Sequence, residues 1–224
     1  MNYIQVIYPV WDRAHGTNVA GKATPAYLVP EKYSDDDHLV QREWEWSEEV
    51  VDMLERKWAA LGFISERTIP DNDPFEPGLL ERMSRINRYN FSGQLLTFSP
   101  HINAITLGDH WQTTASGITY FTSPSHTISD DMCTRLYAIS GDWFKDFYHY
   151  KNTVDGDPDF EAKFAVLMAK GAAILAEVGF QDNRWDVERI MQHAFKDKIT
   201  NMWIQWLIGE NNLALQKIIN HERI

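Results

Sequence analysis

Short apolar segments of strand character alternate with amphipathic helical segments along most of this chain. Three strand-like segments are rich in β-branched and aromatic residues: "YIQVIYPVW" (3–11), "QLLTFSPHINAI" (94–105) and "GITYFTS" (117–123). Helical periodicity is found at 40–61, where Gly62 supplies a stop signal, and at 79–90, 126–144 and 183–210. This alternation predicts an α/β fold in which a mixed or mostly parallel sheet is flanked by helices.

The length, net charge and composition of the chain limit the kinds of protein that it can be. A length of 224 residues can enclose one sizeable core, so we expect a single domain over 1–224. The net charge of −11 argues against a nucleic-acid binder, because phosphate binding needs a basic surface. No apolar stretch reaches the roughly 18 residues of a membrane span, and the N-terminus lacks the features of a signal peptide. The single cysteine, Cys133, cannot form an internal disulfide, which suits a reducing cytoplasm.

One carboxylate interrupts a late apolar segment. The stretch "KFAVLMAKGAAILAEVGF" divides at Gly171 into two apolar runs, and we expect the second to end as a strand at Glu177. An ionised carboxylate in such a run is costly unless it is paired or faces a site. The alternative is an acid at the strand end that is hydrogen-bonded to the neighbouring backbone. The cost favours a functional role for Glu177.

Two histidines also lie at or near the C-terminal ends of strand-like segments, His15 in "DRAHG" and His101 in "SPHINA". In α/β sheets the loops at the carboxyl ends of the strands collect ligands, and His15, His101 and Glu177 would all fall there. A catalytic zinc site has three histidine or carboxylate ligands, an open position and a nearby carboxylate base. Several glutamates at the start of the first helix could complete such a site, and spacing alone does not choose among them.

Four motifs in order resemble those of the zinc-dependent N-acetylmuramoyl-L-alanine amidases of the Amidase_3 type. The family motifs read approximately DPGHG, a glutamate at the start of the first helix, S-x-H-x-N and E-x-G-F-x-x-N. They correspond here to "DRAHG", "REWEWSEEV", "SPHIN" and "EVGFQDN". The chain departs from the pattern at Arg13, Ala14 and Pro100, none of which is an expected ligand. The resemblance spans nearly the whole chain and looks closest to the phage or prophage branch.

The resemblance implies a role for each site residue. It makes His15, Glu43 and His101 the ligands of Zn²⁺ and Glu177 the catalytic base. Glu43 is chosen because Ser47 and Gly62 then occupy the family's small polar position and helix stop. Glu45 and Glu48 are the alternatives, since acidic residues are common at helix N-termini for electrostatic reasons alone. Three further side chains are predicted to lie near the substrate: Asn103, Trp111 and His126.

The activity that the resemblance implies is hydrolysis of the amide between N-acetylmuramic acid and L-alanine in peptidoglycan. Two other functions stay open: a zinc peptidase acting on the stem peptides, and a non-catalytic wall-binding or phage structural module. The expected partner is peptidoglycan, with neither nucleic acid nor membrane. We further expect residues 1–224 to be one catalytic domain without a separate wall-binding domain. Without a signal peptide, it would be kept in the host or bacterial cytoplasm and would act on the wall after release, as an endolysin does.

Overall fold

Strands and helices alternate through the described part of the chain, which comprises residues 4–25, 40–71, 73–106, 110–152, 154 and 156–220. In this computed structural model the strands are β1 (Ile7–Trp11), β2 (Glu66–Arg67), β3 (Gln94–Asn103), β4 (Ile118–Thr122), β5 (Phe160–Glu161) and β6 (Ala172–Phe180). The helices are α1 (Glu43–Ala60), α2 (Leu79–Arg88), α3 (Ile128–Trp143), α4 (Arg184–Ile190) and α5 (His193–Ile219), with a 3₁₀ turn at Ala165–Met168.

The strands form one six-stranded sheet in the order β2-β1-β3-β6-β4-β5. All neighbouring strands are parallel except β4 and β6, which are antiparallel. The carboxyl ends of β1, β3 and β6 therefore lie together at one edge of the sheet. The predicted mostly parallel sheet flanked by helices is confirmed. One catalytic domain is expected over residues 1–224. Some of these residues lie outside the described part of the chain, so this stays a prediction.

Helices cover the two faces of the sheet unequally. On one face α1, α3 and α5 pack against the strands, and the large core there includes Trp46, Trp58, Phe98 and Trp203. On the other face α2 and the 3₁₀ turn cover a smaller core that contains Val10, Ile86, Leu95 and Leu175. Side chains alternate between the faces of a strand, so odd-numbered residues of β6 point to the α2 side. Glu177 shares this side with Leu175.

Helix α1 begins at the predicted metal ligand and ends at the predicted stop. Glu43 is its first residue, and Gly62 lies just beyond the last turn with φ of +83°. Glycine adopts this left-handed conformation without steric cost, which explains why the helix stops there. The apolar stripe of α1, including Val51, Leu54 and Trp58, is buried as its periodicity predicts.

Two details of the C-terminal half differ from the sequence prediction. β6 does not end at Glu177 but continues to Phe180, because β4 pairs with it as far as Val178. The helical segment 183–210 is two helices, α4 and α5, separated at Met191 and Gln192. The second helix extends over 27 residues, to Ile219. Within the described residues, no helix has both the length and the apolar character needed to cross a membrane.

Candidate active site

His15, Glu43 and His101 meet at the carboxyl ends of β1 and β3. His15 follows β1, and Glu43 is the first residue of α1. His101 lies two residues before the end of β3, the strand next to β1 in the sheet. His101 Nδ1 is 2.8 Å from Glu43 Oε1, and His15 Nε2 is 3.6 Å from Glu43 Oε2. The two imidazoles are edge to face, with ring centroids 5.1 Å apart. The structure thus brings together three residues that are far apart in sequence.

These three side chains fit a zinc ion. One ligand atom from each lies within 4.8 Å of the others. Glu43 is only 2% exposed, and its Oε2 atom is buried without a hydrogen-bond partner among the described residues. An orphaned carboxylate oxygen in such a position is costly unless a ligand satisfies it. Two imidazoles and one carboxylate are the donor set found in catalytic zinc sites.

The two alternative glutamates point elsewhere. Glu45 is half-exposed and lies within 4.0 Å of Arg42. Glu48 pairs with Arg13 at 2.9 Å and with Arg67 at 3.2 Å. Neither is grouped with the two histidines, so the geometry favours Glu43.

Glu177 lies beside this group on the neighbouring strand. β3 and β6 are in a register that places His101 opposite Glu177. The residue is inside β6, three residues before its end, and not in the loop beyond the strand as the sequence predicted. Its Oε2 is buried without a hydrogen-bond partner among the described residues. A carboxylate is therefore available next to the His15–Glu43–His101 group without being tied to another side chain.

The two carboxylates of the site have opposite pKa shifts. Burial alone would raise the pKa of Glu43, but the hydrogen bond with His101 and the electrostatic effects of His101, His15 and Lys22 lower it overall. Burial, followed by the negative charge of Glu43, raises the pKa of Glu177 to about 8. Paired carboxylates with diverging pKa values commonly divide the roles of charge and proton transfer. Glu43 has the properties of an anionic ligand, and Glu177 those of a proton carrier.

The raised pKa of Glu177 predicts a pH-dependent stability for the metal-free protein. In the folded chain the pKa of the carboxyl is about 8, whereas the ordinary pKa of a glutamate is 4.5. Its contribution to stability is thus complete below pH 4.5 and is lost as the pH rises towards 8. We expect the free energy of unfolding of the wild type, relative to Glu177→Gln, to fall by a few kcal/mol across this window, at most about 1.4 kcal/mol per pH unit. Urea titrations of both proteins with a chelator at several pH values measure it, and parallel curves would contradict it.

A chain of buried charges holds His15 in place. His15 Nδ1–H donates to Glu76 Oε2 at 3.3 Å, and Arg82 Nη1 donates to Glu76 Oε1 at 2.6 Å. Arg82 also donates to the carboxylate of Asp12, which is fully buried and accepts a 2.6 Å bond from Ser99. Carboxylates that bind the second nitrogen of a ligating histidine fix its orientation. With Nδ1 occupied, Nε2 of His15 is the nitrogen that faces Glu43.

The backbone around His15 is shaped for this contact. His15 has φ of +39°, a left-handed conformation that is uncommon for a residue other than glycine. At the adjacent Gly16 a Cβ atom would lie 2.3 Å from the backbone nitrogen of Glu76. Only glycine allows the segment carrying Glu76 to approach so closely. The strained histidine and the close approach together position the imidazole over Glu43.

A cavity of about 310 Å³ opens beside these groups. His15, His101 and Glu177 form its polar side. The apolar part of the lining consists of Leu79, Phe164, Ala165, Val166 and Leu175. Lys22 and Lys163 add positive charge to the lining. Such a cavity can take a partly apolar chain with a polar group directed at His15, His101 and Glu177.

The three predicted substrate contacts lie outside this lining. Asn103 Oδ1 accepts from the backbone of Ala104 at 2.8 Å, which gives it a role in the loop after β3. The Trp111 ring is stacked under the guanidinium of Arg184, 5.1 Å from its centroid. His126 is 74% exposed and precedes α3, near the opposite edge of the sheet. Their contact with substrate stays a prediction.

Sequence reasoning missed Glu76, Arg82 and Lys22. A signal for Arg82 exists in α2, since Arg82 and Ile86 are four residues apart and are the two buried side chains of that helix. An arginine on the buried stripe of a helix indicates a buried anion. Glu76 is in an irregular loop, where no periodicity reveals which side chains turn inward.

Similar proteins are found by comparison of structures but not by comparison of sequences. No family model matches the sequence, and no curated protein matches it. The N-acetylmuramoyl-L-alanine amidase from Clostridium difficile 630 superposes with a TM-score of 0.68 at 20% identity, over 91% of this chain and 96% of that one. An N-acetylmuramyl-L-alanine amidase of Mycobacterium smegmatis gives 0.68 at 16% identity, over 93% and 98%. The catalytic domain of the CD27L endolysin, which targets Clostridia difficile, gives 0.61 at 14% identity, over 91% and 97%. The chain has the fold of these amidases.

Proposed function

We propose that this protein is a zinc-dependent amidase that hydrolyses the bond between N-acetylmuramic acid and L-alanine in peptidoglycan. The observation that carries the proposal is the convergence of His15, Glu43 and His101 within 4.8 Å, with Glu177 opposite His101 on the next strand. This group occurs in a fold shared with N-acetylmuramoyl-L-alanine amidases. Fold alone does not specify a reaction, and the metal-ligand set with an adjacent proton carrier supplies the chemical argument.

Within this proposal His15, Glu43 and His101 would hold the zinc ion. When bound, zinc supplies Lewis-acid chemistry, which polarises the scissile carbonyl and makes water more acidic. A nearby cation also favours the ionised form of Glu177, because it opposes the effects of burial and of Glu43. Ionised Glu177 removes a proton from the attacking water. It then returns that proton to the nitrogen of L-alanine as the C–N bond breaks.

The cavity suits the atoms around this amide. The lactyl group and L-alanine each carry a methyl group, and the apolar side of the cavity, with Leu79, Phe164 and Val166, can receive them. Lys22 acts electrostatically on both Glu43 and Glu177 and lines the same cavity. Its ammonium is suited to the negative charge that develops on the carbonyl oxygen during hydrolysis.

An endolysin-like setting is part of the proposal. In it the protein is kept in the host or bacterial cytoplasm and acts on the cell wall after release. The likeness in fold to the CD27L endolysin catalytic domain supports this setting. The net charge of −11 argues against a nucleic acid as the partner.

A muropeptide digest tests the reaction. Purified peptidoglycan is incubated with the zinc-loaded protein, and the products are separated and identified by mass spectrometry. We expect intact stem peptides with free L-alanine amino termini and glycan strands with unsubstituted lactyl groups. Shortened stem peptides would instead indicate a zinc peptidase. The absence of any product, with zinc bound at a one-to-one ratio, would indicate a non-catalytic wall-binding or phage module.

A further inference from the structure

A second group of candidate ligands lies at the other edge of the sheet. It consists of Asp130, Asp157, Asp159 and His126, here called the carboxylate cluster. Asp130 is in the first turn of α3, and Asp159 immediately precedes β5. Because β4 is antiparallel to β6, the end of β4 that leads to α3 lies near the amino end of β6. The carboxylate cluster is therefore separate from the His15–Glu43–His101 site.

Three members of the cluster are close together, and two of the four, Asp130 and Asp159, are buried. One ligand atom each of His126, Asp130 and Asp157 lies within 4.8 Å of the others. Asp130 is 2% exposed, and its Oδ2 accepts a 2.7 Å bond from the backbone of Thr127. Asp159 is fully buried, and its Oδ2 accepts a 2.5 Å bond from Thr122. These bonds fix two carboxylates and leave one oxygen of each for another partner.

Two oxygens of the cluster have no such partner. Oδ1 of Asp159 and Oδ1 of Asp157 are both buried and accept no hydrogen bond from a described residue. No lysine or arginine in the described part of the chain forms an ion pair with any of the three aspartates. Unpaired charges in a buried position are strongly unfavourable. The fully buried Asp159 carboxylate in particular requires a positively charged or protonated neighbour.

We propose that the carboxylate cluster binds a divalent cation of the calcium type through the oxygens of Asp130, Asp157 and Asp159. Three carboxylates suit a hard cation, which takes most of its ligands as oxygen atoms. A cation there would connect the start of α3, the loop before β5 and the end of β4. It would secure the sheet edge where β5 has only two residues.

A shared proton is the competing occupant of the cluster. Burial, followed by the negative charges of Asp157 and Asp130, raises the pKa of Asp159 to about 7. A proton held between Asp157 and Asp159 would remove one charge without any metal. The two occupants differ in their response to calcium and to amide substitution.

Thermal unfolding of the zinc-loaded protein with increasing CaCl₂ tests the proposal. Calcium is the probe because the two imidazoles of the other site disfavour it. We expect Tm to rise by about 5 to 10 °C when calcium is about a hundredfold above its Kd. Asp159→Asn and Asp157→Asn are expected to abolish the rise. Asp157 is only partly buried, so its variant tests the proposal even if Asp159→Asn does not fold. Asp142→Asn, an exposed change near the other end of α3, should leave the rise intact.

Two results would overturn the proposal. The first is a wild-type Tm that does not respond to calcium, which would leave the shared proton as the occupant. The second is an equal response in the wild type and in Asp157→Asn, which would place the ion elsewhere. Neither result bears on the muropeptide digest, since no residue of the cluster lines the cavity that contains Glu177.

Discussion

Replacing Glu177 by glutamine is expected to lower kcat on peptidoglycan by about a hundredfold to ten-thousandfold, the range typical of general acid–base groups. Glutamine has nearly the same size and keeps a polar group in the cavity, but it can neither accept nor return a proton. The side chain lies opposite His101 and is outside the His15–Glu43–His101 group, so zinc should still bind. Turnover is measured from the release of stem peptide, and zinc content by elemental analysis of the dialysed protein.

Glu43→Gln and Glu45→Gln are the matched controls for this experiment. Glu43 is within reach of both histidines, so its amide variant should lose zinc and activity together. Glu45 is half-exposed in the same first turn of α1, and its variant should keep both. Glu177→Gln with wild-type turnover would exclude Glu177 as the proton carrier. Loss of zinc in that variant would instead make Glu177 a ligand.

The general architecture could be predicted from local patterns. The spacing of apolar residues and the helix stop signal are properties of residues that are neighbours in the sequence. They predicted α1, with its end near Gly62, and the strand β3. The end of β6 was misplaced because a charged residue in an apolar run resembles a strand terminus. Pairing with β4 continues the strand past Glu177. The two-residue strand β5 is too short to give any alternation and exists through its pairing with β4.

The three proposed metal ligands could be predicted from the sequence, whereas the residues that support them could not. His15, Glu43 and His101 belong to sequence motifs, and the parallel arrangement of β1 and β3 explains why they meet. Glu76 reaches His15 only because Gly16 permits a close approach between two loops. Such an approach is a property of the folded chain and leaves no periodic signal in the sequence.

Replacing Arg82 by methionine is expected to destabilise the protein by about 3 to 5 kcal/mol, which is the usual effect of leaving a buried charge unpaired. Arg82 is 4% exposed, and its guanidinium binds the carboxylates of Asp12 and Glu76 and the carbonyl of Arg13. Methionine fills a similar volume but satisfies none of these acceptors. Urea denaturation at neutral pH measures the loss. Arg88→Met is the control, since Arg88 is 65% exposed and pairs only at the surface. It should cost less than about 1 kcal/mol.

A double substitution separates the unpaired charge from lost packing. If Arg82→Met destabilises the protein because Asp12 is left buried without a partner, then adding Asp12→Asn should restore part of the stability. The two single effects should then not be additive. Additive effects would mean that the loss of packing, not the unpaired charge, causes most of the destabilisation.

The same network predicts a consequence at the proposed metal site, because Arg82 binds Glu76, and Glu76 binds Nδ1 of His15. Loss of the contact that holds Glu76 against His15 should reduce zinc affinity by about 10- to 100-fold in folded Arg82→Met. Unchanged zinc affinity in that variant would show that His15 is oriented by its own strained backbone and not by the buried charges.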